Sequence, residues 1–243
     1  MLRMLFHWQP DRTTLVAAAA GLVVVGLSVA MLPLAPWLWA SIVVRDIGQI
    51  FLVGILFPLL FIQRSGDSLA DFGFSLRKWP LFLAINLVLA VLLFYQLHRV
   101  APPPANFRWD ATTSWKAAYV LLAVTFECIF FYGFLRTLFE RAFGAVAGII
   151  LAALFYSFHH AGFQPEFAML FFVGLMYATV FRLGNSALLI YPFFLGIGGV
   201  YDVLIKSQVV SAIQYPEART LFLAALMAAA ILWTWRKRQA GAR

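Results

Sequence analysis

Ala118–Leu135 reads AYVLLAVTFECIFFYGFL. A run this apolar belongs in a bilayer, which needs about 20 such residues for one helical crossing. It nevertheless holds an acid, Glu127, at its centre. A carboxylate at bilayer depth costs about 2.5–3.5 kcal/mol on insertion scales, so such a residue faces the protein interior and has a partner. The next apolar run, starting at Ala145, carries Phe155-Tyr-Ser-Phe-His159-His160. A buried glutamate beside a buried imidazole is the minimum equipment for general acid–base chemistry inside a membrane.

Composition agrees with this reading. Of 243 residues, 63% are hydrophobic and 12% charged, about half the 25% typical of soluble domains, and mean hydropathy is +0.89. The fold class expected is therefore all-α, a polytopic membrane helical bundle with no room for a separate soluble domain. The +8 net charge does not point to nucleic acid, because the basic residues lie in short loops and at the ends of apolar runs. The single cysteine, Cys128, excludes an intramolecular disulfide. Arg3 and Arg12 before the first apolar run look like a signal-peptide flank, but the run is long and has no clear cleavage pattern, so it reads as a first span.

Eight spans are expected, roughly 13–35, 41–63, 80–99, 115–137, 143–162, 166–182, 185–205 and 219–236, the sixth short enough to be tilted or partly spanning. With the amino terminus inside, twelve basic residues fall on the cytoplasmic side and six outside, Arg45 and Arg219 among the six. That asymmetry favours cytoplasmic termini, anchored by Arg236-Lys-Arg238. Glu127 and His159 then lie in the outer half, below the loops at 100–114 and 161–165.

Phe126–Gly162 (FECIFFYGFLRTLFERAFGAVAGIILAALFYSFHHAG) resembles the CPBP (Abi) family of intramembrane proteases, related to the type II CAAX prenyl endopeptidases. That family's first motif, Glu-Glu-x-x-x-Arg, matches at Glu127, while Cys128 stands in place of the second glutamate and Tyr132 in place of the arginine. Phe131 and Gly133 keep the surrounding pattern. The second motif, Phe-x-x-x-His, is intact at Phe155 and His159. The third, His-x-x-x-Asn or Asp, should fall near Phe193 and Ile197, and neither residue type is there. The Asp71-Phe-Gly-Phe74 loop and Val173–Asn185 add to the likeness, which covers roughly residues 64 to 205. The division this implies is two N-terminal transmembrane helices over 1–63, a cytoplasmic loop over 64–79, a CPBP-like catalytic core over 80–205, and a last helix with a basic cytoplasmic tail over 206–243.

The resemblance implies a glutamic-type intramembrane endopeptidase, with Glu127 activating water and His159 assisting. Its partners would be the lipid bilayer and a peptide or protein substrate in or at the membrane, and its place the bacterial cytoplasmic membrane. On an α-helix Glu127 would share a face with Phe130, Phe131 and Phe134. Candidate supporting groups are Cys128, Tyr132, Tyr156, His160, Asn185, Tyr191 and Asp202. No cofactor is expected. Glu127, His159 and His160 could in principle bind a metal, but adjacent helical residues diverge and no further ligand has metal-like spacing, so no metal is expected. The alternative is a non-catalytic protein of the same fold, a scaffold or immunity-type factor, motivated by Cys128, Tyr132 and Phe193. A proton-coupled transporter using Glu127 would show inverted repeats and broken helices, and none is visible.

Overall fold

A computed structural model describes residues 2–34, 36–100, 102, 108–162, 166–194, 199 and 213–241. Among these residues there are helices and turns and no strand, an all-α polytopic bundle. A short helix α1 (Leu2–Leu5) precedes α2 (Arg12–Leu34), α3 (Leu38–Ser65) and α4 (Trp79–Val100). Then come α5 (Ala111–Phe143), α6 (Ala145–His159), α7 (Phe167–Gly184) and α8 (Pro216–Gly241). Six of them, α2, α3, α4, α5, α7 and α8, are long and apolar enough to cross a membrane. The short apolar helix is the fifth expected span, α6, with 15 residues, whereas the expected short one, α7, has 18. About half of the expected 185–205 span, residues 195–198 and 200–205 with Ile197 and Asp202 among them, lies outside the described residues.

Local sequence explains the boundaries. The Asp110 carboxylate caps α5 by accepting from the Thr113 N–H at 2.7 Å, which satisfies one of the four donors a helix start leaves open. Between α5 and α6 the chain reverses at Gly144, whose φ of 92° a side chain would resist. Asn185 ends α7 in the left-handed region that asparagine tolerates.

Two of the helices change winding where the site will form. Ser41–Leu56 of α3 and Cys128–Leu135 of α5 are π-helical, with each N–H bonding five residues back. Such wide turns mark functional positions out of proportion to their frequency. They also alter register. At about 100° per residue, five steps on an α-helix rotate a side chain by roughly 140°, but at about 4.4 residues per π-turn the same steps leave it roughly 50° away. Tyr132 is thereby carried towards the face of Glu127, and the expected α-helical face of Glu127, Phe130, Phe131 and Phe134 is redistributed.

The centre of the bundle is α5: every residue from Phe126 to Leu135 is buried. In lipid the association of helices rests on close packing and interhelical hydrogen bonds. Close packing is literal at Gly54 of α3, where an added Cβ would sit 2.5 Å from the Phe126 ring, one residue from Glu127. By contrast α4 buries only Asn86 and Ala90 and turns its aliphatic side chains outward, as a lipid-facing helix does. The first two long helices pack into the same core as α5, α6 and α7.

Candidate functional site: a buried glutamate–histidine cluster

Four helices build the site. Glu127 comes from α5 and His159 from the last residue of α6. Their side chains meet with His159 Nε2 3.4 Å from Glu127 Oε1, both buried. The imidazole is held on every side. Phe131 stacks on it at 5.2 Å between centroids and Phe126 meets it edge-on at 5.3 Å. From α3 the Gln49 amide nitrogen reaches His159 Nδ1 at 3.0 Å and the Val24 carbonyl of α2 at 3.2 Å. The Ser28 hydroxyl of α2 donates to the His159 carbonyl, which has lost its helical partner because α6 ends there.

His160 joins the cluster instead of diverging from it. The α-helix gives way to a 3₁₀ turn at this residue, so its ring swings to 4.4 Å from both His159 and Tyr156, and its Nδ1–H donates to the Tyr156 carbonyl at 2.7 Å. As a result Glu127, His159 and His160 each offer one ligand atom, and the three lie within 4.8 Å of one another. Ligands about 2.0–2.1 Å from a tetrahedral zinc lie roughly 3.3 Å apart, so this spacing could hold an ion after a small contraction. The expected geometric objection to a metal therefore does not hold.

The other sequence candidates divide. Tyr132 is fully buried against the Tyr156 ring (5.7 Å) and Phe194 (5.6 Å), within electrostatic reach of Glu127, and its hydroxyl has no hydrogen-bond partner among the described residues. Tyr156 lies between Tyr132 and His160. Cys128 is a buried free thiol. Tyr191 is committed elsewhere: its hydroxyl donates to the Leu121 carbonyl at 2.7 Å and pairs with Thr125. Asn185 lies beyond the cluster, donating to the Ala70 carbonyl at 2.7 Å and accepting from Arg136 at 3.3 Å. Phe193, near the expected third-motif histidine, packs edge-on against Tyr177 at 5.0 Å.

Two groups were missed in the sequence, Gln49 and Arg45. Gln49 is an ordinary polar residue in the outer part of a span, and nothing local ties it to His159, 110 positions on. Arg45, one of the six basic residues on the outer side, lies inside α3 within electrostatic reach of Glu127, His159 and His160. The only available signal was the clustering of Arg45, Asp46 and Gln49 in an otherwise apolar run.

Fold and site together define the class: a polytopic α-helical membrane protein with a buried carboxylate–imidazole cluster. Comparison with protein-family models, with curated protein sequences and with solved structures finds no match to the chain.

Proposed function

We propose that the protein is an intramembrane endopeptidase of the glutamic type, similar to the CPBP family, acting on a membrane-associated peptide or protein. The observation that carries the proposal is Glu127 itself, a buried carboxylate whose one hydrogen bond among the described residues is a long one, to an imidazole, at 3.4 Å. A carboxylate left this lightly bonded away from water is suited to exchanging a proton.

In this reading Glu127 takes a proton from a water molecule and the hydroxide adds to the scissile carbonyl. The His159 N–H stabilises the resulting oxyanion, the role preorganised donors play in acyl transfer. Glu127 then returns the proton to the leaving amine nitrogen as the C–N bond breaks, which balances the hydrolysis. The Tyr132 hydroxyl, buried without a partner among the described residues, is available as a second donor where the family carries an arginine. We place both termini in the cytoplasm of a bacterial inner membrane. Dropping Arg136, buried against Glu140, from the inner set, and Arg45 and Arg219 from the outer one, leaves eleven basic residues against four and strengthens the asymmetry.

The test uses purified full-length protein in lipid vesicles with quenched fluorogenic peptides bearing an apolar segment. Wild-type protein should cleave a subset. Glu127→Gln should lower that rate by about 10³-fold or more, and His159→Gln by about 10²–10³-fold, the scale of one lost oxyanion donor. Equal rates for wild type and Glu127→Gln would remove the peptidase reading and leave the non-catalytic alternative. Cysteine substitutions in the 100–114 loop should label from outside; labelling from the cytoplasm alone would invert the orientation.

A further inference from the structure

We propose that Gln49 is a positioning residue whose side-chain amide fixes His159 as the tautomer protonated at Nε2, so that an N–H faces Glu127. The argument starts from Val24. Its carbonyl oxygen can only accept, and the amide group of Gln49 that faces it at 3.2 Å must therefore be the NH₂. Turning the amide over would set two oxygens against each other at that distance. The second N–H of the same nitrogen points at His159 Nδ1, 3.0 Å away. Two hydrogens cannot share that contact, so Nδ1 carries a lone pair, and a neutral imidazole then holds its proton on Nε2. Nε2 is the atom 3.4 Å from Glu127 Oε1. The ring is not free to turn away from this arrangement, because Ser28 pins the His159 carbonyl and Phe126 and Phe131 bracket the imidazole.

Three consequences follow for the chemistry. His159 is a donor at Nε2, suited to an oxyanion and unable to act there as a base. Proton acceptance falls to Glu127, and the Nδ1–H of His160 is spent on the Tyr156 carbonyl. A metal ion bound at His159 Nε2 would drive the proton to Nδ1, against the amide N–H, so Gln49 acts against metal capture at this atom. The adjacent histidines thus hold opposite tautomers, each set by its own partner. The role in hydrolysis rests on the peptidase reading, but the tautomer does not.

The chain has four histidines, His7, His98, His159 and His160, which makes a direct measurement feasible. Full-length protein labelled with ¹⁵N-histidine in detergent micelles would be examined by two-bond ¹H–¹⁵N correlation, with His7→Gln, His98→Gln and His160→Gln used for assignment. His159 should show a pyrrole-like Nε2 and a pyridine-like Nδ1, and His160 the reverse. In Gln49→Glu the new carboxylate accepts from Nδ1, so the His159 pattern should invert while that of His160 stays. Gln49→Leu, which offers neither donor nor acceptor, should give an averaged His159 pattern. Wild-type His159 protonated at Nδ1, or a Gln49→Leu spectrum unchanged from wild type, overturns the proposal. Peptide cleavage by Gln49→Glu should fall about 10²–10³-fold, the scale of one lost oxyanion donor, because Nε2 no longer carries the proton. If wild type cleaves nothing, the tautomer measurement still decides the fate of Gln49.

Discussion

Asp46 and Glu127 are both carboxylates buried among apolar helices, and their surroundings are opposite. Asp46 is 0% exposed and fully bonded: Arg219 grips it with Nε at 2.7 Å and Nη2 at 2.8 Å, and the Tyr119 hydroxyl donates at 2.5 Å. Arg219 is itself completed by the Tyr119 and Ser41 oxygens at 2.8 and 3.1 Å. Glu127, 5% exposed, has one hydrogen bond among the described residues, the long one to His159. A saturated ion pair ties α3, α5 and α8 together and has no capacity left for a ligand. An under-bonded acid in a comparable setting holds such capacity, at a cost the fold carries elsewhere.

The comparison breaks first on stability. Asp46→Ala leaves Arg219 buried without its counter-charge, a loss of about 3–5 kcal/mol. It should appear as a large drop in thermal midpoint in detergent or as failure to yield monodisperse protein. Replacing both partners, Asp46→Leu with Arg219→Leu, should recover much of that loss, since no lone charge remains. Glu127→Gln should shift stability by no more than about 1 kcal/mol, because little bonding is removed. A Glu127→Gln variant as damaged as Asp46→Ala would make both carboxylates structural.

How far each was legible in the sequence follows from the same contrast. Glu127 stood out because an acid in AYVLLAVTFECIFFYGFL has no local reason to exist, and the Phe155-x-x-x-His159 spacing supplied its partner one span later. Asp46 and Arg219 are 173 residues apart and each resembles the charged end of a span, so their union needed the fold. Helix existence followed from apolar run length. Winding did not: the π-turns that bring Tyr132 round, and the 3₁₀ turn that brings His160 in, depend on tertiary packing that no 3.6-residue periodicity encodes. Asn185 closes the Val173–Asn185 stretch that carries part of the family likeness, and its place in the structure is the C-terminal cap of α7.

A sharper form of the comparison removes one atom. Tyr132→Phe deletes a buried hydroxyl that has no partner among the described residues, so stability should hold or rise by up to about 1 kcal/mol. If that hydroxyl serves the reaction, cleavage of the fluorogenic peptides should fall about 10-fold or more in the same variant. Tyr119→Phe, which strips a donor from Asp46, should do the reverse: lose about 1–2 kcal/mol and leave cleavage per folded molecule unchanged. Stability gained with activity lost marks a functional group, and a Tyr132→Phe variant unchanged in both would make that hydroxyl a packing accident.

The smallest effect concerns the ionic end of the bundle, where partners are saturated but wet. Asp67, in the loop after α3, accepts from Arg141 of α5 at 3.1 Å and from Ser65 at 2.8 Å, and the Arg141 guanidinium lies over the Phe72 ring at 5.0 Å with Asp71 at 3.9 Å. Burial alone would raise the Asp67 pKa, but the Arg141 and Ser65 bonds and the Arg141 charge outweigh it and hold it below its ordinary 3.8. A carboxyl depressed on folding contributes stability that is complete above its unfolded value and is lost as pH falls through its folded one. Docking of this loop on α5 should therefore be constant from about pH 5 to 8 and loosen only below about pH 4, by no more than the roughly 1 kcal/mol of an exposed pair. A spin label on Leu76→Cys, at an exposed position in the same loop, reads it directly. Mobility should rise only in acid, and in Asp67→Asn it should be raised at every pH. A rise between pH 5 and 8 would mean that some group other than Asp67 holds the loop, and that the ionic end is less fully saturated than its geometry implies.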